Sequence, residues 1–179
     1  MGKYFYFIYI FLGGVFLFYL ALPSPKFPLA PSDSMQSAES GDSEELNVRR
    51  AYFTDFTREE VMSHYLEAFN NNQIVNLRFI SYRLNYPPEE AFSRVRDQTR
   101  STFLEEIVHP FRENIYVNGF EPIYAKDEIW YGGRRFRQKI TVKVVRSNII
   151  VREIIGIGVI AGIYVIYKFL IWQTKLIFR

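Results

Sequence analysis

Apolar and polar positions divide this chain into three regimes. Residues 4–22 carry no charge, and residues 154–172 form an apolar run broken only by Lys168. Each run is nineteen residues long. At about 1.5 Å per residue that gives roughly 28 Å, one hydrocarbon thickness, so both read as membrane helices. Lys168 lies one turn from the end of the second run, where its stem can snorkel to the headgroups. The first run is too long for the core of a secretory signal. Tyr19 and Ala21 make a poor cleavage pair before Pro23, Pro25 and Pro31, so an uncleaved anchor is expected.

The middle regime has shorter periods. Residues 48–53 read as a short strand. The stretch Phe56-Thr57-Arg58-Glu59-Glu60-Val61 holds a complete helix start, with Thr57 as N-cap, Glu60 closing a capping box, and Phe56 and Val61 as a staple. Val61, Tyr65, Leu66 and Phe69 recur on one face until Asn70-Asn71-Asn72 stops the helix. Residues 74–84 alternate as a half-buried strand does, with Val75, Leu77 and Phe79 on one side and Asn76 and Arg78 on the other.

Pro87-Pro88-Glu89-Glu90 opens a second predicted helix, with preset φ and two acids at the positive end of the dipole. Its stripe of Ala91, Phe92, Val95, Thr99, Thr102, Phe103 and Ile107 would end near Val108, before Pro110, with Arg94, Arg96, Asp97, Arg100 and Glu105 facing out. Residues 115–117 form a short predicted strand closed by Asn118-Gly119, and an irregular stretch follows through Glu121-Pro122. Residues 128–131, Gly132-Gly133 and residues 134–145 read as a hairpin. In its second strand Phe136, Gln138, Ile140, Val142 and Val144 point one way; Arg135, Arg137, Lys139, Thr141 and Lys143 point the other.

These elements predict an α+β domain: about five strands in a mainly antiparallel sheet with two amphipathic helices on one face, flanked by two transmembrane helices. The expected divisions are an anchor at 1–22, a disordered Pro/Ser/acidic linker at 23–47, the domain at 48–148, a second transmembrane helix at 149–173 and a short basic tail at 174–179. The linker reading rests on four prolines and six serines with little periodicity, which leaves too little apolar surface to offset chain entropy. Only residues 146–152 separate the last strand from the second apolar run, so the domain is expected to ride on that helix, with the first as a leash.

Composition sharpens the picture. Aromatic residues make up 18% of the chain and concentrate in and around the apolar runs, as in membrane-interface segments. There is no cysteine, which excludes disulfides, thiolate nucleophiles and sulfur-ligated metals. The net charge of +3 hides an acidic segment at 23–47, with one lysine against five acids.

Candidate chemistry is sparse. Glu105, Glu106 and His109 would adjoin at i, i+4 spacing on a helix, but no nucleophile or oxyanion motif accompanies them, so solvated charges at a helix end are expected. With His64 and His109 as the only histidines, no zinc site is expected; no cofactor pattern or calcium-loop spacing of acids is found either. The basic strand face, Arg135, Arg137, Lys139 and Lys143, has charges about 6.6 Å apart that could meet anionic lipid or polymer. The competing reading is a sheet edge kept soluble by charge. Nucleic acid is not expected as a partner, because that face lacks stacking aromatics. Gly158 and Gly162, with Gly14 on the first run, form small-residue notches that could let the helices pair within one chain or between chains.

Thr57-Arg58-Glu59-Glu60, the stretch Arg83-Leu84-Asn85-Tyr86-Pro87-Pro88-Glu89-Glu90-Ala91, and Val117-Asn118-Gly119-Phe120-Glu121-Pro122 resemble membrane-anchored proteins of candidate-phylum bacteria. The resemblance covers about half of the chain and implies an architecture without an activity. The expectation is a two-span protein of the cell membrane whose domain works by binding, as an envelope scaffold or accessory subunit, with the bilayer and another membrane protein or a second copy as partners. The alternatives are a sensor of anionic lipid or polymer, and an enzyme with an unrecognised carboxylate site. Lys3, Lys168, Lys175 and Arg179 favour both termini in the cytoplasm and the domain outside. Lys139, Lys143, Arg146 and Arg152 argue the other way, but three of them belong to or adjoin a folded strand in a long loop whose charges count little.

Overall fold

The computed structural model describes residues 3–42, 45–70, 80–95 and 100–177. The chain forms two compact units, one from Met1–Ser24 with Ser147–Arg179 and one from Pro25–Arg146.

The first unit is a hairpin of two apolar helices, α1 (Lys3–Ala21) and α4 (Ile149–Ile177). Both are long and apolar enough to cross a membrane, and only 6% of each apolar window is buried. Their side chains are therefore mostly not buried within this unit. The helices run antiparallel: Phe5 stacks on Tyr167 at 4.6 Å, Tyr9 lies beside Tyr164, and the Tyr9 hydroxyl donates to the Ile160 carbonyl. Close approach is made at Gly13 and Gly156. A Cβ on Gly13 would sit 3.4 Å from Ile160, and one on Gly156 would sit 2.5 Å from Leu20. The notch expected from Gly14, Gly158 and Gly162 is thus displaced within the chain, since a Cβ on any of these three would meet nothing within 4 Å. The expected glycines were chosen by spacing, and the helix rotation that decides which of them face inward is set by the packing of tyrosines and leucines.

The second unit is α+β. Its strands are β1 (Met35–Gln36), β2 (Arg49–Thr54), β3 (Tyr82–Tyr86), β4 (Phe103–His109), β5 (Glu113–Phe120), β6 (Ile129–Tyr131), β7 (Arg134–Phe136) and β8 (Gln138–Val145). Six of them form one antiparallel sheet in the order β1-β2-β8-β5-β4-β3, and β6 pairs with β7 apart from it. Helix α2 (Arg58–Asn70) begins at the expected capping box: Glu60 Oε2 accepts from the Thr57 N–H at 2.7 Å, and the Glu60 N–H donates to Thr57 Oγ1 at 3.3 Å. Its Val61, Met62, Tyr65 and Phe69 cover Tyr52, Phe103, Ile107, Ile115, Val117, Ile140, Val142 and Val144, the main core. Along β8 the expected inward set Gln138, Ile140, Val142 and Val144 is buried, but Thr141 of the outward set is buried too, and Phe136 belongs to β7, where its ring lies 5.8 Å from Phe53 instead of in the main core.

The second predicted helix is much shorter than expected. A 3-10 turn (Pro88–Glu90) leads into a single helical turn, α3 (Ala91–Arg94), and Phe103–His109 is strand β4. Thr99 of the expected stripe, and Arg96 and Asp97 of its outward face, lie outside the described residues. Ala91 and Val95 pack with Leu104, Tyr86 and Tyr116, on the sheet face opposite α2, so the two helical elements do not share a face. The expected strand at 115–117 extends to Glu113–Phe120, straight through Asn118-Gly119, because a Cβ on Gly119 would fall 2.0 Å from the buried Phe103 ring and the glycine makes room for that close approach. Gly132 and Gly133, with φ of 59° and 78°, form the β6–β7 turn as predicted. Of the strand expected at 74–84, residues 74–79 lie outside the described residues, and β3 accounts for its end.

Residues 25–42, expected to be part of a disordered linker, lie against the domain. Phe27 and Ala30 pack on the main core, β1 pairs with β2, and Asp33 accepts from Thr54 Oγ1 and the Asp55 N–H, each at 2.7 Å. The His64 ring bonds to the Leu29 carbonyl at 2.9 Å. These anchors are long-range, so a local reading of prolines and serines misses them.

Candidate functional site

Where β2, β5 and the β6–β7 hairpin end near one another, the chain leaves a cleft of about 490 Å³. Its lining includes Asp55 after β2, Glu121, Ile123 and Tyr124 after β5, Glu128 before β6, and Arg135 and Arg137 on either side of buried Phe136. The hairpin places these arginines: its tight Gly132-Gly133 turn sends β7 back along β6, and alternation about Phe136 turns both guanidinium groups away from the core.

Each charge in the cleft has a counterpart. Arg137 Nε donates to Glu121 at 2.8 Å, and its backbone N–H donates to Asp55 at 3.0 Å. Arg135 lies 3.4 Å from Glu128, and Arg134 pairs with Asp55. The lining also carries exposed apolar groups, Ile123 at 85% and Tyr124 at 66% of full exposure, and Trp130, at 65%, lies outside the lining, opposite Arg135 on the hairpin. The cleft thus combines both signs of charge with aromatic surface.

The four basic residues expected to form one face are divided. Arg135 and Arg137 line the cleft. Lys139 lies on β8, bonded to Glu39 at 2.6 Å and Asp42 at 2.5 Å. Burial alone would lower its pKa, but the bonds to Asp42 and Glu39 outweigh that and raise it. Lys143 donates to the Arg94 carbonyl at 2.8 Å. β8 is also an interior strand, so its lysines do not protect a sheet edge. Among the acids and aromatics of the cleft, none was singled out by sequence reading. The only signals are the irregular stretch through Glu121-Pro122 and the paired glycines, which mark a loop cluster without revealing its chemistry.

Glu105, Glu106 and His109 do not form a helix-end group. On β4, Glu105 and His109 are about 13 Å apart along the strand. Glu105 is fully buried and accepts from Arg58 Nε at 2.6 Å and from Arg83 Nη2 at 2.8 Å, while Glu59 holds the outer side of Arg83. Glu106 points to the other face, where it accepts from the Tyr86 hydroxyl at 2.6 Å and from Asn114. That bond to Glu106 pushes the Tyr86 pKa up to about 12. His109 faces Glu113 at 3.2 Å and Asn70 at 3.3 Å, stacked 4.1 Å from Phe69. Among the described residues no group of three or more His, Cys, Asp or Glu side chains is arranged to hold a metal ion. No protein-family model, curated protein or solved structure matches this chain.

Proposed function

We propose that this is a two-span membrane protein whose domain lies outside the cytoplasm and binds a polypeptide partner at the cleft, as an envelope scaffold or accessory subunit. The observation that carries this reading is the pairing of charges in the cleft. A site for a polyanion would present arginines free of acids, whereas here Glu121, Glu128 and Asp55 engage Arg137, Arg135 and Arg134. An occupant with charges of both signs can exchange with such pairs without leaving one unmatched, and a polypeptide has them. The exposed Tyr124, Ile123 and Trp130 supply the apolar anchors that protein interfaces favour. Membrane insertion is supported by two apolar helices whose surfaces are almost wholly unburied. Their antiparallel hairpin also supports placing both termini on one side.

The test compares two sets of substitutions in the full chain. Ile123→Ala, Tyr124→Ala and Trp130→Ala together should weaken co-purification with the native partner by about a hundredfold, as loss of interface anchors does. Binding to vesicles of anionic lipid should be unchanged by the same changes. If instead Arg135→Gln, Arg137→Gln, Lys139→Gln and Lys143→Gln abolish vesicle binding while the apolar set has no effect on co-purification, the domain reads an anionic surface and the polypeptide reading fails.

A further inference from the structure

The two edges of the six-stranded sheet differ. One edge, β1, has only two residues, Met35 and Gln36, too few to template another strand. The other, β3, has five residues, and among the described residues no strand covers its outer side. An exposed edge presents unpaired N–H and C=O groups, and proteins ordinarily blunt it with lysine, proline or a bulge. β3 has none of these. Its register on β4 runs unbroken from Tyr82 against Val108 to Tyr86 against Leu104, and Pro87 follows the strand. Its one charge, Arg83, is about a third exposed and is engaged in ion pairs with Glu59 and Glu105. Tyr82 and Leu84 remain 57% and 43% exposed.

We infer that β3 pairs antiparallel with the β3 of a second copy of this chain, continuing the sheet across a two-fold axis at Leu84. The strand reads Tyr82-Arg83-Leu84-Asn85-Tyr86, which is nearly the same in both directions. A dyad at Leu84 sets Leu84 against Leu84, Tyr82 against Tyr86 and Arg83 against Asn85. Apolar groups then meet on one face, and no arginine meets an arginine. A two-fold interface requires a self-complementary patch, and this strand is one. The same strand against a foreign sequence would have no such register. The pairing uses main-chain groups of an edge already held by β4, so neither copy has to rearrange. This surface is separate from the cleft and does not depend on it.

The chain has no cysteine, so single cysteines report the register directly. Full-length protein in lipid nanodiscs or mild detergent is treated with a short bismaleimide. Directly opposed residues have Cβ atoms about 5 Å apart, so Leu84→Cys should crosslink to itself in most chains. Two Tyr82→Cys residues would lie about 13 Å apart across the dyad and should crosslink at least about tenfold less. A mixture of Tyr82→Cys and Tyr86→Cys chains should restore the product. Light scattering of the unsubstituted protein should give the mass of two chains. No crosslink at Leu84→Cys overturns the inference, even if the protein is dimeric through its apolar helices. Equal crosslinking of Leu84→Cys and Tyr82→Cys overturns it too, since that marks collision without register. A monomer by light scattering also overturns it.

Discussion

At Glu105 a carboxylate with no exposed surface sits between two arginines that are each about a third exposed. The arrangement ties the start of α2 to β3 and β4, because Arg58 belongs to the helix and Arg83 to the edge strand. Glu105→Gln keeps the volume and removes the charge that both guanidinium groups address. Bonds to charged groups are worth about 1.5–3 kcal/mol, so the domain should lose about 2 kcal/mol. Hydrogen exchange of β4 and β5 amides in the full-length protein should then accelerate by about thirtyfold. No acceleration would mean that the two arginines hydrate freely and the carboxylate is not a structural tie. At the same scale Gly119 shows how little of a contact is visible locally: its place in β5 is dictated by the Phe103 ring sixteen positions earlier.

At the scale of elements, α2 was legible because its start is encoded within a few residues. Thr57 and Glu60 exchange their bonds three positions apart, and Val61, Tyr65 and Phe69 repeat at helical spacing. Thr57→Ala should cost about 1 kcal/mol, as loss of an N-cap does. The cap also has a pH dependence. Hydrogen bonds from Thr57 lower the Glu60 pKa, so the unfolded chain holds that proton more tightly. Its contribution is present above the ordinary carboxylate value and fades as pH falls through the lowered one. The backbone N–H of Thr57 is the main cause, so the carboxylate itself is replaced: the stability difference between the parent and Glu60→Gln should shrink on acidification below about pH 4.5, measured by urea titration at two pH values. A constant difference would remove Glu60 from the cap. Strand β4 was misread for a complementary reason. Phe103 and Ile107 fit a helical stripe, and adjacent Glu105 and Glu106 look like its wet face. Both acids are buried, on opposite faces of a strand, and their partners Arg58, Arg83, Tyr86 and Asn114 come from other elements. Alternation that includes buried charge is invisible to a pattern that assigns charge to water.

At the scale of the whole molecule, the orientation proposed above can be checked with the cysteine-free background. A cysteine at exposed Glu45 should react with a membrane-impermeant maleimide on intact cells, and one at Thr174 should react only after lysis. The reverse labelling would put the domain in the cytoplasm and restore weight to its lysines and arginines as leaflet contacts. The sequence by itself determined the two apolar helices, the α+β class, the start of α2, the buried side of β8 and the Gly132-Gly133 turn. Each of these follows from local periodicity, capping or backbone freedom, properties that need no knowledge of distant residues. Only the tertiary structure decided that Gly13 and Gly156 make the helix contact, that residues 25–42 pack on the domain, that β4 is a strand, and that three acids meet Arg134, Arg135 and Arg137 at one cleft. Those outcomes depend on partners far away in the chain, whose pairing energy exceeds the weak local preferences of the segments they hold.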